Sequence, residues 1–80
     1  MTDSEMVERL AALAHEQWSG WMEYLFGKCY PNHDGSLTLP QIYVLRWRRQ
    51  AKTPYADLPE SEKESDRIEA RRILEIANGK

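Results

Sequence analysis

Two prolines, Pro54 and Pro59, constrain this chain more than any other feature. They lie in the stretch Thr53-Pro-Tyr-Ala-Asp-Leu-Pro-Glu-Ser-Glu-Lys-Glu-Ser-Asp66. Pro54 disfavours helical backbone at Thr53, so any helix before it must end there. Pro59 suits the first turn of a new helix, where a missing N–H costs nothing. Glu60, Glu62 and Glu64 then sit at the positive end of that helix. The pattern predicts a short extended turn running into a helix over about 59–78, stopped at Gly79. By the helical period, Lys63, Asp66, Ala70, Ile73, Leu74 and Ala77 share one face. Lys63 and Asp66 are thereby expected to extend an apolar stripe inward, and inward charges must be paired or serve a site.

Earlier in the chain, Thr2-Asp-Ser-Glu5 fits a capping box, with Thr2 as N-cap and Glu5 reaching back. A long amphipathic helix is expected over about 3–26. Its apolar centre is Val7, Leu10, Ala14, Trp18, Trp21 and Leu25, and Glu5, Arg9, Ala12, Glu16, Ser19 and Glu23 form the wet face. His15 lies at the border, and Gly27 is placed as the stop. Lys28 to Leu39 reads as a loop whose Pro31-Asn-His-Asp-Gly35 run is rich in turn residues. A calcium loop in this register would put Tyr30 and Gln41 where carboxylates are needed, so a surface turn is the better reading. Pro40 starts a helix over about 40–51, with Tyr43, Val44, Trp47 and Ala51 on one face. Arg46, Arg48, Arg49 and Lys52 make this the one basic segment, with Arg48 bordering the apolar face and the others solvated.

The expected fold is therefore a small all-α domain. Residues 1–80 are read as one three-helix domain, the first and third helices antiparallel and the second packed across them. A chain of 80 residues supports only a small core. The net charge of −2 gives no reason to expect binding to a DNA or RNA polymer. The single cysteine, Cys29, makes no internal disulfide, and the first residues are polar and acidic. No apolar run is long enough to span a membrane. A cytoplasmic protein without a signal peptide is the expectation.

Catalysis finds little support in the residues. Cys29 and His33 share a loop but have no third group placed to orient the imidazole. His15 and Glu16 point in different directions on their helix. No glycine-rich phosphate loop and no metal-ligand spacing occurs, so neither an enzyme nor a cofactor is expected. Binding is better supported. Trp18, Trp21, Trp47 and Tyr55 offer rings on which a purine can stack, although Trp21 is central enough to be read as core. Arg48 and Lys63 can meet phosphates. His15 and Asp66 can read hydroxyl or ring-nitrogen groups. The plainer readings are a structural Lys63–Asp66 ion pair, and a His15 hydrogen bond to the turn at Tyr55.

Several of these residues resemble a known family. His15-Glu16-Gln17-Trp18, then Pro54-Tyr55, Leu58, Lys63 and Asp66-Arg67 are similar to the RyR domain. That is the small repeat named for ryanodine receptors and also found in short bacterial and phage proteins. The resemblance covers the first helix and the chain from Thr53 to about Leu74, and departs from the receptor repeats over the helix at 40–51. It implies a compact module that is helical, or mainly helical with a short β element, that holds a nucleotide-type ligand and has no catalytic activity. It joins His15, Trp18, Tyr55, Lys63 and Asp66 into one site, to which Trp47 and Arg48 are added on chemistry. In a phage-like setting such a module would sense or sequester a host signalling nucleotide. The alternative is a protein-interaction module, in which Ile68 and Ile76 on the back of the third helix seal a homo-oligomer.

Overall fold

The computed structural model describes residues 1–79. The chain is mainly helical: α1 (Asp3–Gly27), β1 (Tyr30–Pro31), β2 (Leu37–Thr38), α2 (Gln41–Lys52), a 3-10 turn (Tyr55–Asp57) and α3 (Glu60–Ala77). Each helix boundary has a local cause. At Thr2 the hydroxyl accepts the Glu5 N–H (3.2 Å) and donates to the Glu5 carboxylate (3.1 Å). The box thus closes through the two side chains. Pro40 and Pro59 are caps, one residue outside the helices they were expected to begin. Their extended backbones turn the carbonyls to accept the first helical N–H groups. The chain leaves α2 at Thr53, held extended before Pro54 as expected, and its hydroxyl donates to the Arg49 carbonyl at 2.7 Å. Gly79 stops α3 in the left-handed region, with φ 78°. Gly27 does not act this way: it is the last helical residue of α1. Among the described residues, only Gly35 and Gly79 have positive φ.

The chain divides into two units, residues 1–20 with 59–79 and residues 21–58. In the first, α1 and α3 pack antiparallel. The register is fixed by polar contacts: Gln17 Nε2 donates to the Glu69 carbonyl (3.5 Å), and Arg72 Nη2 donates to Glu16 (2.7 Å). The inward stripe of α1 is Met6, Leu10, Leu13 and Gln17, with Leu13 only 6% exposed. That of α3 is Glu62, Glu69, Arg72 and Ile76, all half-buried.

This corrects the faces expected from the sequence. Val7, Ala14 and Trp18 on α1 are exposed, as are Asp66, Ala70, Ile73, Leu74 and Ala77 on α3. On both helices the inner stripe is turned back by up to one residue, at most about 100°, and Leu10 is common to the expected and observed faces of α1. The contact is knit by the side chains of Glu16 and Arg72, which meet across the helices, and by Gln17, whose amide donates to the Glu69 backbone carbonyl.

In the second unit, the end of α1 meets α2. Trp21 and Tyr24 bring their rings to Trp47, so Trp21 works as a packing residue while keeping 49% of its surface exposed. The loop between the helices is a β-hairpin, pairing Tyr30 with Thr38 and Pro31 with Leu37. Its turn is built from the expected residues. Asp34 Oδ1 accepts the Ser36 N–H (2.9 Å) and hydroxyl (2.6 Å), Asn32 Nδ2 donates to Ser36 and Thr38, and Gly35 adopts φ 87°. The Ser36 bonds hold the Asp34 carboxyl below its ordinary range. Leu58 closes the unit as its one buried hydrophobic residue among those described.

Candidate aromatic and cationic site

The densest chemistry lies in the second unit. Tyr43 and Trp47 share a face of α2 because they stand four residues apart in sequence. Trp21 and Tyr24, three residues apart, likewise share a face of α1. Where the two faces meet, Trp47 stands edge-on to Trp21 (5.2 Å between ring centroids, 88° between planes). It lies 5.5 Å from Tyr43 and 6.2 Å from Tyr24. Trp21 and Tyr24 are themselves edge-to-face at 5.6 Å. These separations are those at which the ring quadrupoles attract.

Two cations lie against this cluster. The Lys28 Nζ stands 5.1 Å from the Tyr24 centroid and 5.7 Å from that of Tyr43. The Arg46 guanidinium lies 5.6 Å from the Tyr43 centroid. Lys28 follows Tyr24 by one helical turn, past the last residue of α1, which carries its half-buried ammonium back over the ring. Trp21 and Tyr24 keep about half of their surface open to solvent, whereas Tyr43 and Trp47 are half-buried. The arrangement is an aromatic floor with two positive groups at its edge. It suits a planar ring carrying negative charge, since ring faces stack and cations meet the anion.

The residues expected to form one site are divided between the two units. Trp47, Arg48 and Tyr55 belong to the second. Trp47 is in the cluster. Arg48 is exposed, and Arg46, its neighbour but one, takes the place over the ring. Tyr55 is exposed in the 3-10 turn. His15, Trp18, Lys63 and Asp66 belong to the first unit. His15 and Trp18 stack at 6.0 Å on α1, both exposed, with His15 Nε2 3.4 Å from the Ser19 hydroxyl. Lys63 is the better buried of the α3 pair, with 18% of its side chain exposed and Glu60 at 3.7 Å. Asp66 is exposed, so its inward placement is corrected: it lies beside the stripe through Glu62 and Glu69, about 40–60° around the helix from each, on the edge that faces solvent.

Along α3 a chain of alternating charges runs Glu60–Arg67–Glu64–Arg71. Arg67 Nη1 stands 3.0 Å from Glu60 and 3.5 Å from Glu64, and Arg71 bonds the other oxygen of Glu64. The hydrogen bond from Arg67, aided by the charges of Arg67 and Lys63, holds the Glu60 carboxyl below its ordinary range. The bond from Arg71 does the same for Glu64, and that to Glu16 raises Arg72. The carboxylates and Arg71 are exposed, with Lys63, Arg67 and Arg72 half-buried beside them, so the ladder lies at the surface and supports the helix without forming a site.

Sequence reasoning missed Tyr24, Tyr43, Lys28 and Arg46 as site residues. The signal was helical spacing: Trp21, Tyr24 and Lys28 stand at i, i+3 and i+7, and Tyr43, Arg46 and Trp47 at i, i+3 and i+4. Among the described residues, no group of three or more His, Cys, Asp or Glu could hold a metal ion. No described helix is long and apolar enough to cross a membrane. No protein-family model, curated protein or solved structure matches the chain.

Proposed function

We propose that this chain is a small, non-catalytic ligand-binding module for a nucleotide or a nucleotide-derived signal. One observation carries the reading: four aromatic rings, Trp21, Tyr24, Tyr43 and Trp47, meet in one cluster with Lys28 and Arg46 held against them. A purine stacks on the open surface of Trp21 and Tyr24, and stacking of this kind contributes about 1–3 kcal/mol per base. Phosphate then reaches Lys28 and Arg46, which exchange part of their ring contact for a charge-assisted hydrogen bond. The RyR-type resemblance names the same ligand class, although the residues that carry it, His15, Trp18, Tyr55, Lys63 and Asp66, lie outside this cluster. The net charge of −2 favours a ligand of nucleotide size over a long polyanion, which needs a broad basic surface.

Calorimetry with adenosine mono-, di- and cyclic nucleotides tests this. Binding is expected for wild type, with loss on Lys28→Met and on Arg46→Met while the far-UV spectrum is kept. Arg49→Met should leave the heat nearly unchanged. Loss on Lys63→Met with Lys28→Met unaffected would move the ligand to the first unit. No heat with any of these nucleotides at millimolar concentration would refute the assignment.

A further inference from the structure

The unit formed by residues 1–20 and 59–79 leaves a continuous apolar face uncovered. On α1 the exposed Val7, Ala11, Ala14 and Trp18 each follow by one residue the inward Met6, Leu10, Leu13 and Gln17. On α3 the exposed Ala70, Ile73 and Ala77 each follow the inward Glu69, Arg72 and Ile76. One residue is about 100° in the same rotational sense on both helices. Because the helices are antiparallel, the same sense of rotation brings both stripes to one side of the pair. Leu74 borders the α3 stripe. The other side of α1 is polar, with Glu5, Arg9 and Glu16. Within this face Val7 is 61%, Trp18 60%, Ile73 44% and Leu74 57% exposed.

We propose that this face pairs with the same face of a second copy of the chain, forming a two-fold dimer of α1–α3 layers. The area fits. The large residues and the four alanines expose on the order of 600 Å², the upper end for a patch on a monomer. With polar rims added, this approaches the ~800 Å² that each partner gives to a stable interface.

The sizes of the side chains also favour self-pairing. A two-fold axis parallel to the helices lays α1 of one copy antiparallel over α3 of the other, as in a four-helix bundle. Residues keep their level along the axis, and that level is set by the Glu16–Arg72 and Gln17–Glu69 contacts. Trp18 then meets Ala70 of the partner subunit, and Ile73 meets Ala14 of the partner subunit. Each large side chain faces a small one, so the two layers can approach closely. The pairing differs from one through Ile68 and Ile76. Ile76 is half-buried on the inner stripe, and Ile68 lies on the opposite side of α3 from Ala77.

Sedimentation velocity on the full chain at micromolar concentration tests the proposal. Wild type is expected at twice the chain mass. Leu74→Glu and Ala70→Glu are expected to halve that mass without loss of helical signal, and Ile68→Glu to leave it unchanged. A wild type that stays monomeric at millimolar concentration overturns the proposal, as does dissociation by Ile68→Glu alone. Should the glutamate variants fail to fold, cysteine pairing decides. In a Cys29→Ser background, an Ala14→Cys protein mixed with an Ile73→Cys protein should form a disulfide heterodimer in preference to either homodimer. Absence of that preference overturns the pairing.

Discussion

Leu13→Ala is the sharpest test of which side of α1 faces inward. Leu13 is 6% exposed, the lowest value among the described hydrophobic residues. The change removes three carbons, worth about 2–2.5 kcal/mol of transfer free energy at ~0.8 kcal/mol per carbon. A cavity adds to this, but Met6, Leu10 and Gln17 beside it are only half-buried and free to relax inward. The expected cost is therefore about 2.5–3 kcal/mol, the low end for a core leucine. For a chain of this size that lowers the melting midpoint by about 10–20 °C. It is a large part of the ~4–12 kcal/mol that 80 residues are expected to hold. Val7→Ala is the control. Val7 is 61% exposed and alanine is the better helix former, so its change should stay within about 0.5 kcal/mol. Both are read by urea denaturation under circular dichroism, in protein dilute enough to be monomeric. A Leu13→Ala cost below about 1 kcal/mol, or an equal cost from Val7→Ala, would refute the inward stripe and restore the face centred on Val7, Ala14 and Trp18.

Other outcomes follow from local chemistry. The folded-state pKa values of Glu60 and Glu64 are lowered from 4.5, so their contribution is fully present above that value and lost as pH falls through the lower, folded values. The melting midpoint should drop below about pH 4.5, less steeply in a Glu60→Gln, Glu64→Gln double variant and at high salt; identical pH profiles for the two proteins would count against the ladder. Gly35 sits at φ 87°, and Gly35→Ala should destabilise the hairpin by about 1 kcal/mol, with Gly20→Ala as the neutral-to-stabilising helical control. Equal stability of the two variants would show that the turn relaxes. Trp47→Ala removes ring contacts to Trp21, Tyr24 and Tyr43 and should cost about 2–3 kcal/mol, seen in denaturation midpoints, whereas a loss under 1 kcal/mol would mean that the cluster does not hold α2 to α1.

The positions of the helices were legible because their ends are marked by residues with few alternatives. Pro40, Pro54 and Pro59, together with Thr2 and Gly79, limit the backbone wherever the chain is folded. The hairpin turn was legible for the same reason, through Asn32, Asp34 and Gly35. The rotation of α1 and α3 was not. Apolar content is greater on Val7–Ala14–Trp18 and Ala70–Ile73–Ala77 than on the stripes one residue earlier, so a reading by hydrophobicity misplaces the inner side by at most about 100°. Gln17 and Arg72 reach across the helix contact, to the Glu69 carbonyl and the Glu16 carboxylate, by hydrogen bonds that polarity alone does not announce. Leu13 escaped notice because its neighbours in the inner stripe include these polar side chains. In the candidate site, Trp47 was legible as a ring needing partners. Lys28 and Arg46 were not, because each takes its place only when α1 and α2 meet around Tyr24 and Tyr43.

The most direct test of the central claim, that the cluster in the second unit is the nucleotide site, uses the tryptophans themselves. The chain has 3 Trp, so the indole N–H groups give separable signals in a two-dimensional nitrogen–proton spectrum. Titrating an adenine nucleotide should move the Trp21 and Trp47 signals together, saturably, and leave Trp18 in place. Movement of Trp18 alone, or no movement at saturating nucleotide, would contradict the assignment.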